Sequence, residues 1–142
     1  MVVDRETTDL QRALIFFDLS SIPAGATINS AVLKLQATQV GGSITIGAYQ
    51  INQAWVETSV TWNQSQAGTN WSTAGGTFNS TALASITTNS VGQHSFDITT
   101  LAQGWVNGSI TNDGVLIGNP DGGVTARLPT TLVKVQQNLS WQ

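Results

Sequence analysis

Two strand patterns of different kinds lie within residues 12–37, RALIFFDLSSIPAGATINSAVLKLQA. The first covers residues 12–19 and is apolar on both faces of an extended chain. One face has Ala13, Ile15, Phe17 and Leu19, and the other has Leu14 and Phe16. A strand that is apolar on both faces is covered from both sides. We therefore expect cover on both sides of this strand, at least over its middle.

The second pattern, over residues 31–37, alternates cleanly between apolar and polar positions. The inward positions are Ala31, Leu33, Leu35 and Ala37. A second inward set follows at Ile44, Ile46 and Ala48, after a Gly-Gly pair at 41–42. Two alternating runs joined by a glycine turn are typical of a β-hairpin, so residues 30–51 are predicted to form one.

The rest of the chain gives weaker signals of the same kind. Residues 92–97 are predicted to form a strand with Phe96 inward, and residues 114–118 a short apolar strand. Between them, Thr99 or Thr100 is expected to cap a short helix that ends at Gly108. The polar stretch 63–90 has weak periodicity, and a loop of this length is either functional or contains short strands.

Strand signals about 8–12 residues apart indicate a sandwich of two sheets. We predict an all-β fold, a jelly-roll-like antiparallel β-sandwich with one short helix. A chain of 142 residues fits one domain, so residues 1–142 are taken as a single unit.

Composition excludes several classes of function. Five Lys and Arg against eight Asp and Glu give a net charge of −3, which cannot form the basic surface that nucleic acid requires. No apolar run is long enough to insert into a membrane. The chain has no cysteine and one histidine, which excludes disulfides, a thiol nucleophile and a histidine-rich metal site. Only 9% of residues are charged, a composition associated with extracellular β-modules of bacteria and archaea.

Three segments together carry a family resemblance. They are residues 12–36, the segment WVETSVTWN at 55–63, and the segment FDITTLAQGWVNGSITNDGVLI at 96–117. In this order they resemble the signatures of DNRLRE domains, also called disaggregatase-related repeats, a group that includes carbohydrate-binding module family 96. The signature positions are Phe17, Asp18, Trp55, Trp62 and Trp105.

The resemblance implies a jelly-roll-like β-sandwich used as a module in secreted and cell-surface proteins of prokaryotes. It implies no catalytic activity, and some relatives bind acidic polysaccharides such as alginate. The three signature tryptophans are expected to be packing residues, because signature aromatics usually belong to a core.

The chain departs from the family pattern at both ends. The family has an additional strand before the position that matches Met1, and the tail 128–142 does not match the family's last strand. Cover for the strand at 12–19 is therefore expected from residues 1–9, from the tail or from another chain. The tail is favoured, since Val133, Val135, Leu139 and Trp141 alternate along it.

A tryptophan in a polar loop is the best candidate for a binding residue. Trp71 lies in the segment Gly-Thr-Asn-Trp-Ser-Thr, and an aromatic ring with amide and hydroxyl neighbours can stack on a sugar and hydrogen-bond to it. Trp71, Asn70 and Asn63 are the predicted carbohydrate-binding residues. The alternative is that Trp71 closes one end of the sandwich under its own loop.

The carboxylates do not form a recognisable catalytic or metal motif. Asp113 and Asp121 lie in loops and are candidate ligands for Ca²⁺, the one cofactor that the sequence leaves open; the alternative is that both are solvated. Asp18 and Asp97 each follow a phenylalanine at a strand end and are expected to accept hydrogen bonds from backbone N–H groups. No residue is nominated as catalytic, so we predict that the protein is not an enzyme.

The sequence as a whole favours a non-catalytic extracellular module that binds a polysaccharide or glycan or mediates cell-surface adhesion. The scarcity of basic residues favours a neutral glycan, because a polyanion needs several Lys or Arg on one face. The alternative is a structural subunit of an extracellular filament or surface layer. Such a subunit would assemble by donor-strand complementation, in which the tail of a neighbouring copy fills the place of the missing strand.

Overall fold

The computed structural model describes residues 2–5, 10–37, 43–119 and 136–141, with side chains over residues 12–37 and 43–119. The described elements are strands β1 (Val2–Arg5), β2 (Leu10–Ile15), β3 (Ile28–Ala37), β4 (Ile44–Gln50), β5 (Gln64–Gln66), β6 (Thr69–Asn70), β7 (Ala84–Thr88) and β8 (Gly92–Asp97), helix α1 (Thr99–Val106), and strands β9 (Val115–Gly118) and β10 (Gln136–Trp141).

Two antiparallel sheets pack face to face. The larger sheet has the order β1-β2-β9-β4-β7 and the smaller has the order β10-β3-β8, while β5 and β6 form a separate short pair. Alternate residues of the two sheets meet in an inner core, which includes Ile15, Ala31, Leu33, Ile46, Phe96 and Ile117. The predicted all-β sandwich with one short helix is confirmed.

The predicted hairpin over residues 30–51 is wrong. β3 pairs with β8 and β10, whereas β4 pairs with β7 and β9 in the other sheet. The inward faces of β3 and β4 were assigned correctly, but they meet across the core instead of side by side. Alternation has the same period in both arrangements, so it identifies the buried face of a strand and not its partner.

The larger sheet is covered on its outer face as well. The chain between β4 and β7, residues 51–83, lies over this face and is here called the covering segment. With it the sheet forms an outer core, whose buried members are Leu14, Tyr49, Ile51, Val60, Trp71 and Leu116. Trp55, Trp62 and Phe78 pack against it half-buried. The expected cover on both sides of β2 is therefore present over its middle.

The source of that cover differs from the expectation that the tail supplies it. The outer face of β2 is covered by the covering segment. One edge of β2 pairs with β9 and the other with β1, so the first residues of the chain supply the second neighbour. The tail strand β10 instead extends the smaller sheet, with Leu139 opposite Ala31. Val133 and Val135 lie outside the described residues. The cover ends before Phe16, which is 55% exposed.

A buried arginine ties the covering segment to β2. Arg12 is only 8% exposed, and its Nη1 donates to the Gly75 carbonyl at 2.8 Å. Its guanidinium carbon lies 4.9 Å from the ring centroid of Trp62 and 5.1 Å from that of Phe78. Burial lowers the pKa of the guanidinium from its ordinary value, yet arginine stays charged at neutral pH. Gly75 has φ of +86°, and a Cβ there would lie 2.6 Å from Arg12 Nη1.

Helix α1 begins directly after β8 and packs against the inner core. Its N-cap residue is Ile98 instead of the expected threonine. The preceding Asp97 carboxylate accepts bonds from the backbone N–H of Thr99 at 2.9 Å and from its hydroxyl at 2.6 Å. Leu101 is 1% exposed and Trp105 8% exposed, and the Trp105 ring lies 5.8 Å from that of Phe17. The apolar face of the helix therefore closes the core beside β3.

Replacing Trp105 with alanine is expected to lower the free energy of unfolding by about 3–5 kcal/mol, because it removes a buried indole and leaves a cavity. Urea unfolding followed by circular dichroism measures the change. Val91, which is 61% exposed, provides the control, and V91A should leave stability nearly unchanged. Equal stabilities for W105A and V91A would contradict the packing described for α1.

Replacing Arg12 with lysine is expected to lower stability by about 2 kcal/mol or more. An ammonium group cannot reproduce the planar stacking between two rings together with the bond to Gly75. Thermal unfolding measures the loss, with Lys34→Arg on β3 as the reverse exchange at a less buried position. Equal melting temperatures for R12K and K34R would show that the positive charge at position 12 is sufficient and that the shape of the guanidinium does not matter.

Candidate carbohydrate-binding groove

The structure does not present Trp71 as an exposed ring. Its side chain is 5% exposed within the outer core, and its Nε1 donates to the Thr61 carbonyl at 3.0 Å. The expectation that Trp71 stacks on a sugar is contradicted by this burial, because neither face of the ring is open. The alternative, a tryptophan packed under its own loop, describes the arrangement. Local composition was misleading, since the polar neighbours of Trp71 point outwards while the ring turns inwards.

Asn63 and Asn70 are exposed, and they flank Trp71 through their backbones. The Asn63 carbonyl accepts a bond from the Trp71 N–H at 3.0 Å, and the Asn70 carbonyl accepts one from Gln53 Nε2 at 3.0 Å. Their side-chain amides make no hydrogen bond to any residue that the structure describes. A role for these two amides in carbohydrate binding stays a prediction.

A polar groove lies at one end of the sandwich, between the segment after β4 and the segment before β9. Its volume is about 420 Å³. The lining residues are mostly amides and hydroxyls with one carboxylate: Gln50, Ile51, Asn52, Gln53, Ala54, Ser109, Ile110, Thr111 and Asp113. A concave site with several polar groups is the usual form of a small-molecule or sugar site.

The wall that carries Asp113 is fixed to the end of β2. Asn112 Nδ2 donates to the Phe17 carbonyl at 2.8 Å, and Asn112 Oδ1 accepts from the Gly114 N–H at 3.2 Å. Gly114 has φ of +85°, and a Cβ there would collide with the carbonyl oxygen of Ile15. Only glycine allows this close approach of the two backbones.

The facing wall is tied to Asp113 and Gly114 by two hydrogen bonds. The Ile51 N–H donates to the Gly114 carbonyl at 3.3 Å, and Trp55 Nε1 donates to the Asp113 carbonyl at 2.8 Å. Trp55 therefore uses its ring in the outer core and its N–H at the groove. The two walls are held at a set distance before any ligand arrives.

Gln53 fixes the same wall to the covering segment. Its Oε1 accepts from the Ser72 N–H at 2.9 Å and from the Thr77 hydroxyl at 2.8 Å. Its Nε2 donates to the Asn70 carbonyl, and lies 3.3 Å from Ser65 Oγ. All the hydrogen-bonding capacity of this amide is used inside the protein, so Gln53 shapes the groove without being available to a ligand.

The groove retains donors and acceptors that have no partner among the described residues. Gln50 Nε2 donates to Asn52 Oδ1 at 2.9 Å, which leaves Gln50 Oε1 and Asn52 Nδ2 unused. The Thr111 hydroxyl and the Asp113 carboxylate are also without hydrogen bonds to the part of the chain that the structure describes. Partial burial raises the pKa of the Asp113 carboxyl.

The other carboxylates singled out in the sequence lie elsewhere. Asp18 accepts a bond from the Ser20 N–H at 2.9 Å, and these hydrogen bonds, like those of Thr99 to Asp97, lower the pKa of each carboxyl. Both side chains are exposed; Asp97 is the last residue of β8, whereas Asp18 lies three residues beyond the end of β2. Asp121 lies outside the described residues. Within those residues no three potential ligands of the His, Cys, Asp and Glu types come together, and Asp113 alone reaches the groove. A Ca²⁺ site stays a prediction.

The two sheet faces are poorer candidates than the groove. The outer face of the larger sheet is occupied by the covering segment. On the outer face of the smaller sheet, the described positions of β3 and β8 carry no aromatic side chain; they include Lys34, Gln36, Gln93 and Ser95. Neither face combines a concave shape with unused polar groups as the groove does.

The fold and the groove together define a β-sandwich binding module. The sequence model of carbohydrate-binding module family 96 matches residues 1–131, and the chain belongs to this family. Members are binding modules without a catalytic role. The match ends before β10, so the strand that completes the smaller sheet lies beyond it. No curated protein matched the chain. Within the described residues, no helix has the length and apolar character needed to cross a membrane.

Replacing Trp71 with alanine is expected to lower the free energy of unfolding by about 3–5 kcal/mol, because the indole is buried in the outer core. The matched control is Asn70→Ala, which alters the exposed neighbour and should change stability by less than about 0.5 kcal/mol. Guanidinium unfolding compares the two variants. A W71A protein as stable as N70A would mean that the ring contributes nothing to the core.

Proposed function

We propose that this protein is a non-catalytic module that binds carbohydrate in the groove and attaches its parent protein or cell to a glycan. The observation that carries the proposal is the set of unused polar groups on Gln50, Asn52, Thr111 and Asp113. They lie together in a concave site of a chain that belongs to a carbohydrate-binding family.

The chemistry of these groups suits sugar hydroxyls. A hydroxyl both donates and accepts a hydrogen bond, and the groove offers a carbonyl oxygen and a carboxylate as acceptors with an amide NH₂ as donor. The walls are already joined through Ile51, Trp55 and Gln53, so little ordering is required on binding. A preformed site loses less free energy to ordering than a mobile one.

A binding role fits the groove better than hydrolysis. Glycoside hydrolysis commonly uses two carboxyl groups on either side of the scissile bond. Asp113 is the single acidic residue among those that line the groove. Its carboxylate therefore serves as a hydrogen-bond acceptor for a bound sugar.

An extracellular or cell-surface location is part of the proposal. The chain combines 9% charged residues with no cysteine, so its stability depends on neither a reducing nor an oxidising compartment. Modules of its family bind carbohydrate, and a polysaccharide or glycan outside the cell is the ligand that this location would offer. The location can be tested by fractionating the native host and probing the fractions with an antibody.

Replacing Asp113 with alanine is expected to weaken binding at least tenfold, because a hydrogen bond to a charged acceptor contributes about 1.5–3 kcal/mol. Binding is first located on an array of neutral and acidic polysaccharides and then measured by isothermal titration calorimetry. The control is Glu57→Ala, which removes an equal charge at an exposed residue that does not line the groove. Unchanged affinity in D113A would place the binding site elsewhere.

Binding through Asp113 is also expected to depend on pH. Because burial raises the pKa of this carboxyl, it takes up a proton at a higher pH than an exposed aspartate does. Protonation removes the negative charge that makes the carboxylate a strong acceptor, so affinity should fall as the pH is lowered through this raised pKa. Titrations between pH 7 and pH 4 test this, and D113N should bind weakly with no such dependence. Parallel profiles for wild type and D113N would contradict the role of the carboxylate.

Assembly through strand exchange is the second candidate function, and strand β10 is the observation that bears on it. β10 pairs with β3 of its own chain at the edge of the smaller sheet. The same pairing made between copies would link molecules without any new contact, as in domain swapping. Size-exclusion chromatography and negative-stain microscopy of the full chain distinguish a monomer from a filament.

A further inference from the structure

One aromatic side chain near the groove is left open to solvent. Phe16 is 55% exposed, whereas the other described phenylalanines are buried or half-buried. A single exposed phenylalanine has no functional meaning by itself, because isolated apolar residues are common on protein surfaces. Phe16 is distinguished by its position next to the segment of Asp113, whose carboxylate has no hydrogen-bond partner among the described residues.

The backbones of Phe16 and of the Asp113 wall are in direct contact. A Cβ on Gly114, the residue after Asp113, would lie 3.3 Å from the Phe16 Cα. The bond from Asn112 Nδ2 to the Phe17 carbonyl holds the same wall against the same strand end. Phe16 and Asp113 are therefore carried on two segments that are fixed to one another.

Phe16 lies on the side of the sheet where the groove wall is attached. Along β2 and its continuation, Phe16 follows Leu14 on the outer face of the larger sheet. Trp55 packs against the outer core on that face and donates to the Asp113 carbonyl. Phe16 therefore follows β2 on the face where Trp55 packs, with its backbone against Gly114, the residue next to the groove-lining Asp113.

We propose that Phe16 is a stacking platform for a sugar ring whose hydroxyls bind Asp113, so that the groove takes an uncharged hexopyranose and rejects a uronate. This inference rests on the proposed function. A pyranose presents C–H groups on one face and hydroxyls at its rim. The face packs on an aromatic ring while the rim meets the carboxylate and amides.

The charge of the groove sets the preference for an uncharged sugar. Its lining residues include one carboxylate and neither lysine nor arginine. A uronate would bring a second negative charge next to Asp113, where partial burial already disfavours the charged form. A hexopyranose of the same shape, with a hydroxymethyl group in place of the carboxylate, meets no such repulsion. The preference differs from that of the alginate-binding relatives implied by the resemblance.

The experiment compares Phe16→Ala, Phe16→Tyr and Val91→Ala on four soluble probes: a β-glucan, a galactan, a mannan and alginate. Affinity electrophoresis screens all four, and calorimetry measures the probe that binds best. We expect one of the three neutral probes to bind and alginate to bind at least tenfold more weakly. F16A should lose at least tenfold in affinity, whereas F16Y, which keeps the ring, and V91A, an exposed apolar control, should bind like the wild type. Melting temperatures confirm that all variants are folded.

The outcomes separate this inference from the proposed function. If D113A abolishes binding and F16A does not, the groove stands and the stacking role of Phe16 is overturned. If alginate binds more tightly than every neutral probe, the groove stands and the preference for an uncharged sugar is overturned. If both D113A and F16A bind like the wild type, or if no probe binds the wild type, both proposals fail.

Discussion

The structure depends on the burial of the larger sheet from both sides. Leu14, Tyr49 and Leu116 point away from the inner core and would face water if nothing lay over them. The chain between β4 and β7 covers them and is held there by the guanidinium of Arg12, which stacks between two rings of that segment. Because burial of apolar surface is the dominant stabilising term in folding, the path of this segment is set by the sheet beneath it.

The candidate site follows from this packing. One wall of the groove is the start of the covering segment, and the other leads into β9, a central strand of the sheet that the segment covers. Trp55 therefore has two structural roles at once. Its ring packs against the outer core, and its N–H donates to the backbone of Asp113 in the opposite wall of the groove. Gln53 uses its whole amide to fix the loop, so the neighbouring polar groups remain available for a ligand.

The sequence revealed faces more reliably than partners. Alternation identified the buried sides of β3 and β4, and the apolar face around Trp105 identified the helix. Pairing was not predictable, because the Gly-Gly pair at 41–42 predicts a turn without indicating whether the flanking strands belong to the same sheet. The groove was missed because its walls, residues 50–54 and 109–113, are far apart in sequence. The second wall lies within the family signature at 96–117, but nothing in that signature indicates that it faces the first. One feature of the sequence did indicate the outer core. Arg12 lies at the start of a strand that is apolar on both faces, so its guanidinium needs partners in a buried setting, and Trp62 and Phe78 provide them.

The pairing of β2 with β9 has a consequence for how the chain folds. Ala13 lies opposite Ile117, so the most apolar strand near the beginning finds its central neighbour only near the end of the matched region. Contacts this distant in sequence are slow to form, because a long loop must close before any of them is made. During synthesis, β2 therefore emerges long before β9 does, with apolar side chains on both faces. Folding of this module is a late event that requires nearly the whole chain, and until then β2 is the segment most exposed to aggregation.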